Sequence, residues 1–250
     1  MNPELDFEKS YRLVREVIET LVLTVLMFLI IRLAVQNFNI DGHSMEPGLH
    51  DKELIIVDKW TYLFHSPARG DVIVFKAPPN PSLDYIKRVI GVPGDVVTIK
   101  DTTVYVNGTA LPDPYVQPIN QGNPYPSFTN RIIPANTYFV LGDNRNGSSD
   151  SRDWGCLPRA NVIGRAALVY WPLGQNNNGL LPNEATAFNG IHAPPQGNST
   201  DICTISPNNN VSATITSPIS SAVDTNMMLL LVMPGMFVAY TRRKRIPTQE

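Results

Sequence analysis

From Val17 to Val35 the chain is almost wholly apolar, and Leu21 to Ile31 is broken only by Thr24. As a helix rising about 1.5 Å per residue, this run would reach roughly 28 Å, close to the ~30 Å hydrocarbon core of a bilayer. A core built in water must therefore come from the residues after Val35. Glu19 and Arg32 lie near the two ends, where long side chains reach the interface. Lys9, Arg12 and Arg15 precede the run and favour a cytoplasmic N-terminus over residues 1–16, despite Glu4, Glu8 and Glu16. A removable signal peptide shares the charge and the apolar run, but no small-x-small cleavage site comes after it; the next residues are Gln36-Asn37-Phe38-Asn39. Residues 17–35 read as an uncleaved transmembrane helix.

A second apolar stretch covers Met227 to Tyr240, with a polar entrance at Asp224-Thr225-Asn226. Pro234 and Gly235 are awkward in a soluble helix and tolerated in a membrane one. Arg242-Arg243-Lys244-Arg245 come next. The expectation is a second span at 222–240, a cytoplasmic basic tail at 241–250, and the middle of the chain outside the cell. A buried or interfacial helix is the other reading of so short an apolar core.

Between these segments the signals are those of strands. Leu54–Val57, Val72–Phe75, Tyr85–Ile90, Val96–Ile99, Thr103–Val106, Tyr138–Leu141 and Val162–Tyr170 are short runs rich in β-branched and aromatic residues, separated by turn residues. The 22 prolines and 16 glycines argue against a helical bundle. Gly91-Val92-Pro93-Gly94-Asp95 predicts a sharp turn. Asn107-Gly108 predicts a hairpin, because both residues accept left-handed backbone. Pro112 to Pro134 reads as an extended excursion. From Gly174 to Ser221 the composition shifts to Asn, Pro, Ser, Thr and Gly, too little apolar surface to offset ordering, so 174–221 is expected to be a flexible linker. A net charge of -2 leaves no broad footprint for nucleic acid. Cys156 and Cys203 allow one disulfide or two free thiols, and no His/Cys cluster suggests a zinc site.

Two residues draw attention as chemistry. Lys87 lies in the apolar run Tyr85-Ile86-Lys87-Arg88-Val89-Ile90, where lost hydration would lower the pKa of its amine. Ser44 lies in Gly42-His43-Ser44-Met45-Glu46-Pro47, just beyond the first span. A neutral amine beside that hydroxyl could take its proton. On a strand, Lys87 shares a face with Tyr85 and Val89, whereas Arg88 goes with Ile86 and Ile90; either face could be the inner one. A third segment, Leu141 to Asp153, holds three carboxylates, two arginines and three serines. It reads as a solvated turn or as an ion-paired loop supplying the orienting group that activated nucleophiles need.

Four blocks in order give the chain a resemblance to bacterial type I signal peptidases: Gly42 to Pro47, Gly70 to Phe75, Tyr85 to Gly91, and Gly142-Asp143-Asn144-Arg145 through Ser148-Ser149-Asp150-Ser151-Arg152. The resemblance reaches from the first span to about Pro172. It implies a mainly β, membrane-anchored catalytic domain over 36–173, with a smaller β-extension around 101–136 near Asn107, Gly108 and Asp113. It makes Ser44 the nucleophile, Lys87 the general base and Ser148 the hydroxyl that orients the amine. Asp150 and Arg152 would support that loop, with Arg88 and Asp143 a second stabilising pair and Met45 part of the substrate floor. Gly42 stands where some members carry a serine that donates to the oxyanion, and Gly48 where threonine is common. The Ser44 N–H would then carry more of that task, with the Gly42 region or water as the second donor.

The implied reaction is removal of N-terminal signal peptides from exported preproteins, commonly after Ala-x-Ala, at the extracytoplasmic face of the bacterial plasma membrane. The partners implied are signal-peptide-bearing preproteins, membrane lipid and a neighbouring secretion translocon, with no metal, organic cofactor or nucleic acid. Two rival readings are a non-enzymatic anchored domain that binds peptides, and a self-cleaving Ser/Lys domain. Wide separation of Ser44 Oγ and Lys87 Nζ would favour the first; the anchor in place of a DNA-binding region disfavours the second.

Overall fold

Helix α1 runs from Pro3 to Ala34, and its stretch Tyr11–Ala34 is long and apolar enough to cross a membrane, with a mean hydropathy of 2.3 and none of it buried against the rest of the protein. The structure, a computed structural model, describes residues 3–116, 125–174, 179–181, 184–192, 201–204 and 244–247. After α1 come β1 (Val35–Asp41), β2 (Leu54–Asp58), the one-turn α2 (Thr61–Phe64), β3 (Val72–Ala77) and β4 (Asn80–Gly91). Next are β5 (Val96–Lys100), β6 (Thr103–Val106), β7 (Thr109–Ala110), β8 (Phe128–Ile132) and β9 (Thr137–Leu141). The last are α3 (Ser151–Trp154), β10 (Leu157–Pro158), β11 (Val162–Trp171), β12 (Gly179–Leu180) and β13 (Lys244–Pro247).

Among the described residues, one sheet takes the order β10-β9-β4-β3-β11-β2-β1-β13 with β12 added to β11. A smaller sheet has the order β7-β6-β5-β8. The fold is thus mainly β. The smaller sheet overlaps the stretch 101–136 expected as an extension and starts earlier, at Val96, because β5 pairs with both β6 and β8. The β6–β7 hairpin turns at Asn107 and Gly108, whose φ angles of 53° and 82° are the left-handed values a two-residue turn needs.

β4 places the site. From Tyr85 to Gly91 every residue is buried, since β3 and β9 flank the strand and both faces are covered. Ile86 joins a core with Phe38, Ile40, Met45, Ile55 and Val57, whereas Tyr85 and Val89 pack with Phe75, Tyr138 and Trp154.

Two expectations for the C-terminal third need correction. The described parts of 174–221 pack on the domain rather than forming a loose linker: Ala187 and Phe188 are buried, and Cys203 is bonded to Cys156. Few apolar residues suffice because the disulfide and the backbone bonds Cys156 N–H to Thr204 O and Cys203 N–H to Ile132 O hold the strap in place, both 2.8 Å. Residues 244–247, expected in a cytoplasmic tail, instead form β13, parallel to β1 and against β4. An unpaired sheet edge offers backbone donors and acceptors to any extended segment that reaches it. The second span expected at 222–240 lies outside the described residues.

Candidate active site

Ser44 sits in a tight turn just after β1, and Lys87 sits in β4. Lys87 Nζ lies 2.6 Å from Ser44 Oγ, with both residues buried. The amine is also 5.5 Å from the Tyr85 ring centroid, so the Tyr85/Lys87 face is the one turned toward the serine. Burial pushes the amine from 10.5 down to about 8, against the opposing pull of Asp150 and Asp143. A proton acceptor near neutral pH thus lies within reach of a hydroxyl.

Gly142 to Arg152 folds over this pair. Asn144 donates its N–H to Ser44 O at 3.0 Å and its side-chain amide to His43 O at 3.2 Å, fixing the nucleophile's backbone. The lack of a side chain at Gly142 permits the approach: a Cβ there would collide with Ser148 Oγ and lie 2.6 Å from Ser44 O. Asp150 anchors the loop. Its buried carboxylate accepts from Gly142 N at 3.0 Å, Ser148 Oγ at 2.9 Å, Arg152 Nε and Nη2 at 2.8 Å each, and Arg152 N at 3.2 Å, the last capping α3. A buried carboxylate demands such donors.

Arg88 points to the other side of β4. It makes a bidentate pair with Asp143 at 2.8 and 2.6 Å and donates to Gly70 O at 3.0 Å. Adjacent cations of one strand thus serve two places, one beside the nucleophile and one locked to a carboxylate. Met45 is buried in the core beneath Ser44.

Two sequence-based roles differ in the structure. The Ser148 hydroxyl, expected on the lysine amine, donates to Asp150 at 2.9 Å and makes no hydrogen bond to Lys87. The Gly42 N–H, considered as a second oxyanion donor, is committed to Asp51 Oδ1 at 2.6 Å. Among the described residues the Ser44 N–H has no acceptor. Sequence reasoning assigned no role to Arg145, whose side chain is fully buried on Asp113; its place inside the Gly142–Arg152 block was the available signal. Among the described residues no group of three or more His, Cys, Asp or Glu side chains is placed to hold a metal.

A family model described as signal peptidase, peptidase S26, matches residues 14–171. The chain belongs to the signal peptidase family. It is 42% identical over 170 residues to the signal peptidase I of Leptolyngbya laminosa, a match covering 64% of this chain and 81% of that one. Similarity to signal peptidase IB of Staphylococcus aureus strain Mu50 is 34% over 184 residues, covering 66% of this chain and 93% of the relative. A crystal structure of a signal peptidase I from Enterococcus faecalis V583 is 35% identical, with a TM-score of 0.36 over 40% of this chain and 97% of that one. This signal peptidase is accordingly a membrane-anchored serine endopeptidase that removes signal peptides from preproteins. The family match sets aside the non-enzymatic binding domain, and the wide Ser44–Lys87 separation that would have favoured it is not found.

Proposed function

We propose that Ser44 is the nucleophile and Lys87 its general base in cleaving signal peptides from exported preproteins at the outer face of the bacterial plasma membrane. The observation that carries this reading is the buried 2.6 Å contact between amine and hydroxyl. With the amine neutral, the hydroxyl donates to it, and its oxygen attacks the scissile carbonyl as the proton passes to nitrogen. The Ser44 N–H is the donor positioned for the resulting oxyanion. The lysinium then protonates the leaving amine, giving the mature protein's new N-terminus and an acyl-enzyme. Water, deprotonated by the same lysine, releases the signal peptide. Asp150, Ser148 and Arg152 hold the loop beside the amine, and Arg88 with Asp143 fixes its other flank.

The join between α1 and the sheet supports this placement. Lys59 N–H donates to Ala34 O at 2.9 Å, which puts α2 beside the end of the membrane helix. Trp60, Leu63 and Phe64 are exposed there. Apolar side chains at that level suit the lipid interface, so membrane lipid contacts the domain as well as the anchor. With 1–16 in the cytoplasm and 17–35 spanning, the site stands where the apolar segment of a preprotein leaves the bilayer near the translocon, and tethering replaces free diffusion.

Purified Ser44→Ala and Lys87→Ala, assayed in detergent on an intact preprotein, should each lose cleavage while still inserting in membranes. Normal turnover by either variant would rule out the dyad.

A further inference from the structure

The ion-paired loop beside the dyad is tied to the β-extension through Arg145. Arg145 is wholly buried, and its Nη1 and Nη2 donate to the two carboxylate oxygens of Asp113 at 2.8 Å each. Its Nε donates to Gly142 O at 3.2 Å, and its own carbonyl accepts from Arg152 Nη2 at 2.6 Å. One residue therefore touches the start of the loop and the smaller sheet's exit with its guanidinium, and the loop's end with its carbonyl. Charge balance makes the link specific. Asp143 is taken by Arg88 and Asp150 by Arg152, so the carboxylate bonded to Arg145 is Asp113. Asp113 is held at φ 45°, an uncommon conformation for a residue with a side chain, which persists where the surroundings over-determine it. Two tyrosines from the same extension reinforce the link: the Tyr115 ring lies 4.2 Å from the Arg88 guanidinium and the Tyr125 ring 5.2 Å from that of Arg152.

We propose that Asp113, acting through Arg145, is a positioning residue for peptide hydrolysis, by which the β-extension sets the place of the Gly142–Arg152 loop against Ser44 and Lys87. The inference rests on the dyad reading. Without Asp113, Arg145 is a buried cation with no counter-charge, and the carboxylates of its own loop are Asp143 and Asp150, held by Arg88 and Arg152. Drawing either away shifts the loop whose Asn144 N–H and Gly142 backbone frame the nucleophile. The loop frames the reacting hydroxyl, so the loss falls on turnover rather than on binding.

The full chain carrying Asp113→Asn, Asp113→Glu, the double change Asp113→Leu with Arg145→Met, or Ser44→Ala is assayed for kcat and KM on a fluorogenic signal peptide in detergent, with Tm measured in parallel. Asp113→Asn is expected to lower kcat by about tenfold or more with KM within about twofold, and Asp113→Glu to recover part of the loss. The double change removes both charges together, so it should restore Tm but not kcat, because the Arg145 bond to Gly142 O is gone. Should Asp113→Asn fail to fold, Asp113→Glu decides: reduced kcat at unchanged Tm supports positioning, and wild-type kcat overturns it. Wild-type kcat in Asp113→Asn, or recovery of both Tm and kcat in the double variant, likewise overturns it. Activity in Ser44→Ala would sink the dyad itself, whereas a dead Ser44→Ala beside a fully active Asp113→Asn sinks only the positioning role.

Discussion

Lowering the pH should silence this peptidase through one group. Burial brings the Lys87 amine from 10.5 to about 8, and only the neutral form takes the Ser44 proton. The turnover ratio kcat/KM should therefore track the neutral fraction, about a half at pH 8, about a tenth at pH 7 and about a hundredth at pH 6. The same displacement acts on stability. Between about pH 8 and 10.5 the unfolded chain keeps a proton on this amine that the folded chain has released, so stability rises with pH across that window. The folding penalty is full below about pH 8, shrinks between about pH 8 and 10.5 and is gone above that, and the displacement corresponds to about 3 kcal/mol. Rates on a fluorogenic signal peptide from pH 6 to 10 test the first half. For the second, Lys87→Met should melt above wild type at pH 7, with the gap closing toward pH 10. A profile flat from pH 6 to 8, or an acid limb centred near the unperturbed lysine value, would refute the reasoning.

The geometry yields three further outcomes. Gly142→Ala places a methyl 2.6 Å from the Ser44 carbonyl oxygen, a backbone atom, so the nucleophile must move; kcat should fall about 100-fold, and a loss under tenfold would argue against so tight a fit. Ser148→Ala removes one donor from Asp150 and should slow single-turnover cleavage by about 10- to 100-fold with little loss of folding; an unchanged rate would remove Ser148 from the site. Ending the chain before Lys244 removes β13, whose Pro247 pairs with Asp41 close to Ser44. Extended peptides that bind by strand addition should then show a lower KM at constant kcat, whereas an unchanged KM means that they do not bind at the β1 edge.

Local chemistry accounts for how much of this was readable from the chain. The apolar length of α1, the Asn107-Gly108 turn and the β-rich runs are properties of neighbouring residues, and the structure has each of them. Lys87 drew notice as a lysine in an apolar run, but Ser44 alone reads as an ordinary turn serine, and only the four blocks in order singled the two out. The disulfide was left open, since proximity between residues 47 apart depends on how the strap at 201–204 lies across β8 and the loop after α3. Packing of Phe188 was missed for a similar reason: a Pro- and Asn-rich segment looks loose until a distant surface covers its few apolar groups.

Hydrogen-bond direction was the least legible quantity. Ser148 was assigned to the lysine by motif, yet its hydroxyl is one of five donors that converge on the Asp150 carboxylate. Sequence by itself determined the anchor, the mainly β domain and the types of group available for acyl transfer, because these depend on hydrophobicity, backbone preference and functional-group identity. Tertiary structure decided which side of β4 meets the serine, which carboxylate holds which arginine, and how far the amine is stripped of water. Those depend on distances between residues remote in the chain, and a pKa or a paired charge exists only where such distances have been set.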